Sequence, residues 1–213
     1  MKDPKFWHQK WQAGEIGFHQ DGVHKGLEKY WRRLKLKRRS TVFVPLCGKS
    51  NDMVYLRERG HDVVGVELSE IAASEFFEDN NLRSTVIPKS DFNYHIGNGL
   101  TLLQGDFFKL GLSHMRKVRA VYDRAALIAL PTDMRTKYAA HLQSILAPET
   151  QILLITLEYD QSQMDGPPFN VSEDEVTKLF GEWCEIEKFN SGNPEMFKDT
   201  VEAVEGVYYL TVN

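Results

Sequence analysis

A chain of 213 residues is long enough to bury a full core as one domain, and 42% hydrophobic with 26% charged residues is the balance of a soluble globular protein. The formal net charge of −4 weighs against non-specific affinity for nucleic acid. Cys47 and Cys184 have neither metal-ligand spacing nor a disulfide framework around them, so reduced thiols are expected, and no apolar run serves as a signal peptide or spans a bilayer. The expectation is a cytoplasmic protein with no nucleic-acid and no membrane partner, and with monomer as the default state.

Taken in order, residues 3–18 predict an amphipathic helix with Phe6, Trp7 and Trp11 on one face, broken at Gly14 and Gly17. Residues 25–38 predict a second helix with Leu27, Tyr30, Trp31 and Leu34 inward. Its basic end, from Arg32 to Arg39, is read as a solvated terminus complementing the helix dipole. Val42–Pro45 is the first strand, Lys49–Arg59 a crossover helix closed by Gly60, and Val63–Val66 the second strand. Ser69 is placed to cap a helix running to about Asn80. Asn98-Gly99 signals a hairpin within Tyr94–Gln104. Arg119–Tyr122 and Gln151–Leu157 are further strands around a helix at Pro131–Leu146. Ser172 and Glu175 suggest a capping box for a helix to Phe180. Glu185–Phe189 and Val207–Val212 close the chain with no helix between them, so one antiparallel strand is expected in an otherwise parallel sheet. Alternating strands and helices make this a doubly wound α/β fold in one domain, 1–213.

The most informative stretch is Val42-Phe-Val-Pro-Leu-Cys-Gly48-Lys-Ser followed by Gly65-Val-Glu67-Leu-Ser69. Strand, tight turn, helix, second strand and a terminal acid 19 residues after Gly48 are the layout of a nucleotide-binding half, with the acid on the ribose hydroxyls. Several glycines are needed to approach a dinucleotide pyrophosphate, and only one is present. The motif therefore favours S-adenosyl-L-methionine over NAD, with the Gly48 backbone near its methionine part. A nicotinamide-dependent oxidoreductase remains the alternative on the same fold. Gly48-Lys49-Ser50 mimics the end of a P-loop, but position 43, where the first glycine belongs, is Phe. Cys47, Glu67, Asp106 and Asp123 are all expected at strand ends on the binding edge. His8, His19 and His24 fit no zinc spacing, so no metal is expected.

The segments Trp7-His-Gln-Lys-Trp11, Gly17-Phe18-His19-Gln20, Val44-Pro-Leu-Cys-Gly-Lys-Ser-Asn-Asp-Met53, Gly60-His-Asp-Val-Val-Gly-Val-Glu-Leu-Ser69, Tyr122-Asp-Arg124-Ala-Ala-Leu127 and Gly166-Pro-Pro-Phe169 resemble the thiopurine S-methyltransferases, in that family's order and spacing. The bacterial members are the nearest in likeness, and their relatives are linked to methylation of selenium and tellurium species. The resemblance implies a class I, Rossmann-like methyltransferase: a seven-stranded sheet with the last strand antiparallel, under an N-terminal cover at residues 1–40. It implies cofactor contacts at Trp11, Leu46, Glu67, Asp106, Phe107 and Arg124, and a substrate pocket at Phe18, Arg124, Pro167 and Phe169. It implies a small-molecule thiol as acceptor, with a selenol or a selenium or tellurium species as the alternative, and S-adenosyl-L-homocysteine as product. Mammalian relatives carry a second substrate-side arginine before the last strand; residues 191–206 hold only Lys198.

An aromatic face at Trp11 suits a sulfonium, and Phe18 suits a flat substrate. Arg124 is the expected catalytic cation, orienting an anionic nucleophile. A heteroaromatic thiol ionises near neutral pH, so no strong general base is expected.

Overall fold

The computed structural model describes residues 4–191, 194–197 and 201–213. Lys198 lies outside the described residues. Contacts group the chain into two compact units that meet in sequence at residues 120 and 121.

The first unit opens with helices α1 (Pro4–Gln12) and α2 (Lys25–Tyr30). It continues through β1 (Thr41–Val44), α3 (Asp52–Glu58), β2 (Asp62–Glu67), α4 (Glu70–Asp79), β3 (Thr85–Pro88), β4 (Asn93–Gly97), β5 (Leu100–Gln104) and the short α5 (Leu112–Met115) to the first residues of β6 (Val118–Arg124). Its strands lie in the order β3-β4-β5-β2-β1. β1, β2 and β5 run parallel, while β3 and β4 add an antiparallel meander to the outer edge. Apolar runs in the parallel strands are buried on both faces: Val42, Phe43, Val63, Val66 and Leu102 are at most 1% exposed. α3 and α4 supply Met53, Leu56, Ala72 and Phe76 to the same core. The hairpin signal is realised, with Asn98 and Gly99 both at positive φ as a type I′ turn requires.

The second unit takes β6 onward through α6 (Thr132–Ile145), β7 (Gln151–Glu158), α7 (Glu173–Phe180), β8 (Cys184–Ser191), β9 (Glu195–Phe197) and β10 (Val201–Val212). Its strand order is β6-β7-β10-β8, with β9 paired to β10. β10 runs antiparallel to both β7 and β8, as expected of the last strand. β3 and β4 extend the first unit's parallel strands and β9 pairs at the edge of the second unit's β10.

Three local expectations need correction. The predicted helix over 25–38 stops at Tyr30 and becomes a 3-10 turn over Trp31–Leu34, which Lys35 ends at φ 51. The basic run is therefore turn rather than helix end, and the dipole argument does not apply to it. α3 starts at Asp52 rather than Lys49, because the Ser50 hydroxyl accepts from the Asp52 N–H at 3.2 Å. At α7 the expected capping box forms on one side only: the Ser172 hydroxyl accepts from the Glu175 N–H, while the Glu175 carboxylate binds Arg135.

Candidate active site

Because β1, β2 and β5 are parallel, the residues that follow them share one edge of the first unit's sheet. Cys47, Glu67 and Asp106 are all on that edge. After β1 the chain turns through Leu46 at φ 44 and Gly48 at φ 52. Left-handed backbone favours glycine, and position 48 has a second reason to be Gly. A Cβ there would stand 3.3 Å from Cζ2 of Trp11, whose indole covers the turn.

Glu67, the last residue of β2, is 7% exposed. Its Oε2 accepts the Gly48 N–H at 2.9 Å and its Oε1 the Ser69 N–H at 2.7 Å. Burial raises its pKa, and the N–H groups of Ser69 and Gly48 pull against that rise. Each carboxylate oxygen has a second lone pair, so the arrangement retains capacity for a vicinal diol. The carboxylate's remaining acceptor sites thus fit the ribose hydroxyls of an adenosine cofactor.

Cys47 is shut away from chemistry. Its Sγ would be 2.7 Å from a Cβ on Gly65, so the sulfur occupies the space the glycine leaves. Burial, reinforced by the Glu67 charge, pushes the thiol well above its ordinary pKa. Lys49 does not face the turn as a P-loop lysine would: its Nζ binds Glu75 at 2.7 Å and Asp79 at 2.9 Å on α4.

Beyond β5, Asp106 is exposed and its Oδ1 accepts the Phe108 N–H at 3.0 Å, starting a 3-10 turn that buries Phe107 to 3%. The N-terminal aromatics form a contiguous edge-to-face array, Trp7 on Phe18 at 5.6 Å and Phe18 on Trp11 at 5.5 Å between centroids. Phe18 retains 36% exposure within it. His24 serves structure, its Nδ1 accepting from the Gly26 N–H. The described residues hold no group of three metal-ligating side chains, and no described helix is long and apolar enough to cross a membrane.

In the second unit, Arg124 is the half-buried last residue of β6, and its guanidinium has no hydrogen-bond or ion-pair partner among the described residues. Its neighbour Asp123 departs from expectation: the side chain is 1% exposed and turned into the core. Its Oδ2 accepts the Tyr138 hydroxyl at 2.6 Å and its Oδ1 the Leu127 N–H at 3.2 Å. Burial, opposed by those bonds, pushes its pKa up to about 6.

Pro167 and Phe169 lie half-buried on the loop that follows β7. Gly166 takes φ 67, and a Cβ there would stand 2.6 Å from the Phe169 ring, so any side chain would strain the backbone and displace the ring. The loop is tied by Phe169 N–H to the Ile128 carbonyl at 2.7 Å and by the Tyr159 hydroxyl to the Pro168 carbonyl at 2.7 Å. Arg135, 2% exposed, sits 5.8 Å from the Phe169 centroid, donates Nε–H to the Leu130 carbonyl, and binds both oxygens of Glu175 through Nη1. Sequence reasoning missed Arg135 and Tyr138. The available signal was a charged residue on the apolar stripe of the 131–146 helix, with Tyr138 nearly one turn further along.

The sequence model of the thiopurine S-methyltransferase family matches residues 2–211. A thiopurine S-methyltransferase of Marinobacter nauticus is 48% identical over 182 residues, 85% of this chain and 83% of its own. One of Methylococcus capsulatus is 44% identical over 215 residues, 98% of this chain and 97% of its own. Among solved structures, a TehB-like S-adenosylmethionine-dependent methyltransferase from Corynebacterium glutamicum has a TM-score of 0.60 at 15% identity, covering 99% of this chain and 98% of its own. The 1,6-didemethyltoxoflavin-N1-methyltransferase of Burkholderia thailandensis, solved with bound 1,6-didemethyltoxoflavin and S-adenosylhomocysteine, has a TM-score of 0.66 at 15% identity, covering 99% of this chain and 87% of its own. The structural likenesses give the fold, that of S-adenosylmethionine-dependent methyltransferases, and do not extend to acceptors. Sequence identity over nearly the full length gives the rest: the chain belongs to the thiopurine S-methyltransferase family and is a methyltransferase dependent on S-adenosylmethionine.

Proposed function

We propose that the protein methylates the sulfur of thiopurines or related heteroaromatic thiols, as one domain over 1–213 with residues 1–40 as its cover, acting as a cytoplasmic monomer without nucleic-acid or membrane partners. The observation that carries the cofactor half is Glu67, a buried carboxylate fixed by two backbone N–H groups at the end of β2 with lone pairs to spare. The acceptor half rests on family membership.

S-adenosylmethionine, when bound, supplies a methyl group on a sulfonium that is already a good leaving group. Glu67 would hold the ribose, Leu46 and Gly48 would line the methionine side, and Asp106 and Phe107 the adenine. Trp11 would offer an aromatic face to positive charge. Phe18, Pro167 and Phe169 would wall a flat acceptor, and Arg124, with a guanidinium free to take a new partner, would favour its thiolate and hold it. No side chain need remove a proton from a thiol that is already ionised, so the rate arises from alignment and exclusion of water.

Calorimetric titration with S-adenosylhomocysteine, with NADH as control, followed by turnover on thiopurine, aliphatic thiol and selenol acceptors, tests this reading. Binding of the first ligand alone and turnover greatest on the thiopurine are expected. Preference for NADH would overturn the cofactor assignment, and turnover confined to aliphatic thiols or selenols would overturn the acceptor.

A further inference from the structure

Asp123 is costly where it stands. A carboxylate in the interior loses its hydration, and only specific hydrogen bonds offset that loss. Its bonds are local and purposeful. The chain leaves β6 at Arg124 and reverses through Ala125 at φ 64, a left-handed conformation that an alanine does not adopt unaided. The Asp123 Oδ1 closes this reversal by accepting the Leu127 N–H, while Oδ2 ties it to α6 through the Tyr138 hydroxyl. Tyr138 is fully buried, so its hydroxyl cannot turn to solvent instead. Arg124 lies between the anchored residue and the strained one, and its own side chain has no partner among the described residues to orient it.

We propose that Asp123 and Tyr138 are positioning residues for Arg124: together they lock the backbone from which its guanidinium is presented to the acceptor. The proposal rests on the reading of Arg124 given above. A long side chain loses rotamer freedom when it binds, and a fixed Cα–Cβ direction reduces the number of conformers that must be lost. Removing the Tyr138 hydroxyl leaves the Arg124 side chain untouched and loosens the turn that aims it.

The test is a double-mutant cycle on kcat/KM for 6-mercaptopurine, with Arg124→Ala, Tyr138→Phe and the pair, each checked by thermal midpoint. Tyr138→Phe alone is expected to lower kcat/KM roughly five- to tenfold, the scale of one lost hydrogen bond. In the Arg124→Ala background it is expected to have no further effect. An equal loss in both backgrounds, or no loss in the wild-type background, overturns the proposal. Full activity of Arg124→Ala alone would instead overturn the underlying role of Arg124. If Tyr138→Phe folds poorly, Asp123→Asn, which keeps the shape and one acceptor, runs through the same cycle with the same criteria.

Discussion

The Trp11 indole lies against the backbone of Gly48, close enough that a single methyl on the glycine would meet its ring edge at 3.3 Å. α1 is thereby seated on the turn between β1 and α3, and the aromatic array of Trp7, Phe18 and Trp11 is seated with it. Gly48→Ala forces either the left-handed backbone or the indole to give way. A stability loss of about 1–2 kcal/mol is expected from the backbone alone. Urea titration measures that loss, and a red shift of tryptophan emission would show the indole displaced toward water. Unchanged stability and emission would mean that Trp11 does not rest on this turn in solution.

Glu67→Gln keeps the shape of the side chain but sets an amide N–H against one of the two backbone donors and removes the charge. Affinity for S-adenosylhomocysteine is expected to fall by about 1.5–3 kcal/mol, roughly ten- to hundredfold. Calorimetry checks it; an unaltered Kd would remove the ribose role.

Asp123 makes stability depend on pH with a definite sign. Its folded pKa, about 6, lies above the ordinary value of 3.8, so the folded state holds the proton more tightly. The contribution is fully present below about pH 4 and is lost as pH rises through 6, up to about 3 kcal/mol. Relative to Asp123→Asn, which does not titrate, the wild type is expected to lose ground between pH 4 and pH 7. Denaturation midpoints at a series of pH values check this, and parallel curves for the two proteins would refute it.

Arg135 and Glu175 join α6 to α7, with Arg135 at 2% and Glu175 at 22% exposure. Glu175→Ala strands a guanidinium in the interior, and a loss of about 3 kcal/mol is expected. The pair Arg135→Met with Glu175→Leu removes both charges and is expected to recover most of it. Because Arg135 also packs near Phe169, the double variant should show a raised KM for flat acceptors with little change in cofactor affinity. An unaltered KM would separate the ion pair from the acceptor role proposed for Phe169.

Strands such as Val42–Val44 and Gln151–Leu157 were legible because burial on both faces demands β-branched and apolar runs, whereas their order in the sheet was not. Ser69 and Ser172 were legible because a helix start needs a local acceptor, and both hydroxyls do accept. What escaped depends on distant partners or carries no residue signature. The end of the second helix turns on Lys35 taking a left-handed conformation with no glycine to mark it. β3 is exposed along its whole length, so no alternation betrays it. Asp123 reads from its position as a member of the binding edge; the Tyr138 hydroxyl, fifteen residues on, and the Leu127 N–H hold it inward. For Glu67, sequence indicated the acid and the structure supplied what spacing cannot, the two N–H groups that hold it still.

The capture of Lys49 by Glu75 and Asp79 bears on competition from other adenosine-bearing ligands. ATP presents the same adenosine as the cofactor, and an acid that grips ribose hydroxyls does not distinguish the two. The distinction must come from what lies beyond the ribose: a polyphosphate chain in one case, a cationic amino-acid tail in the other. A lysine next to Gly48 would attract the polyphosphate, but its charge is already neutralised by two carboxylates of α4. The same three side chains that brace a helix thus keep the lysine beside Gly48 from serving as a polyphosphate anchor at this turn.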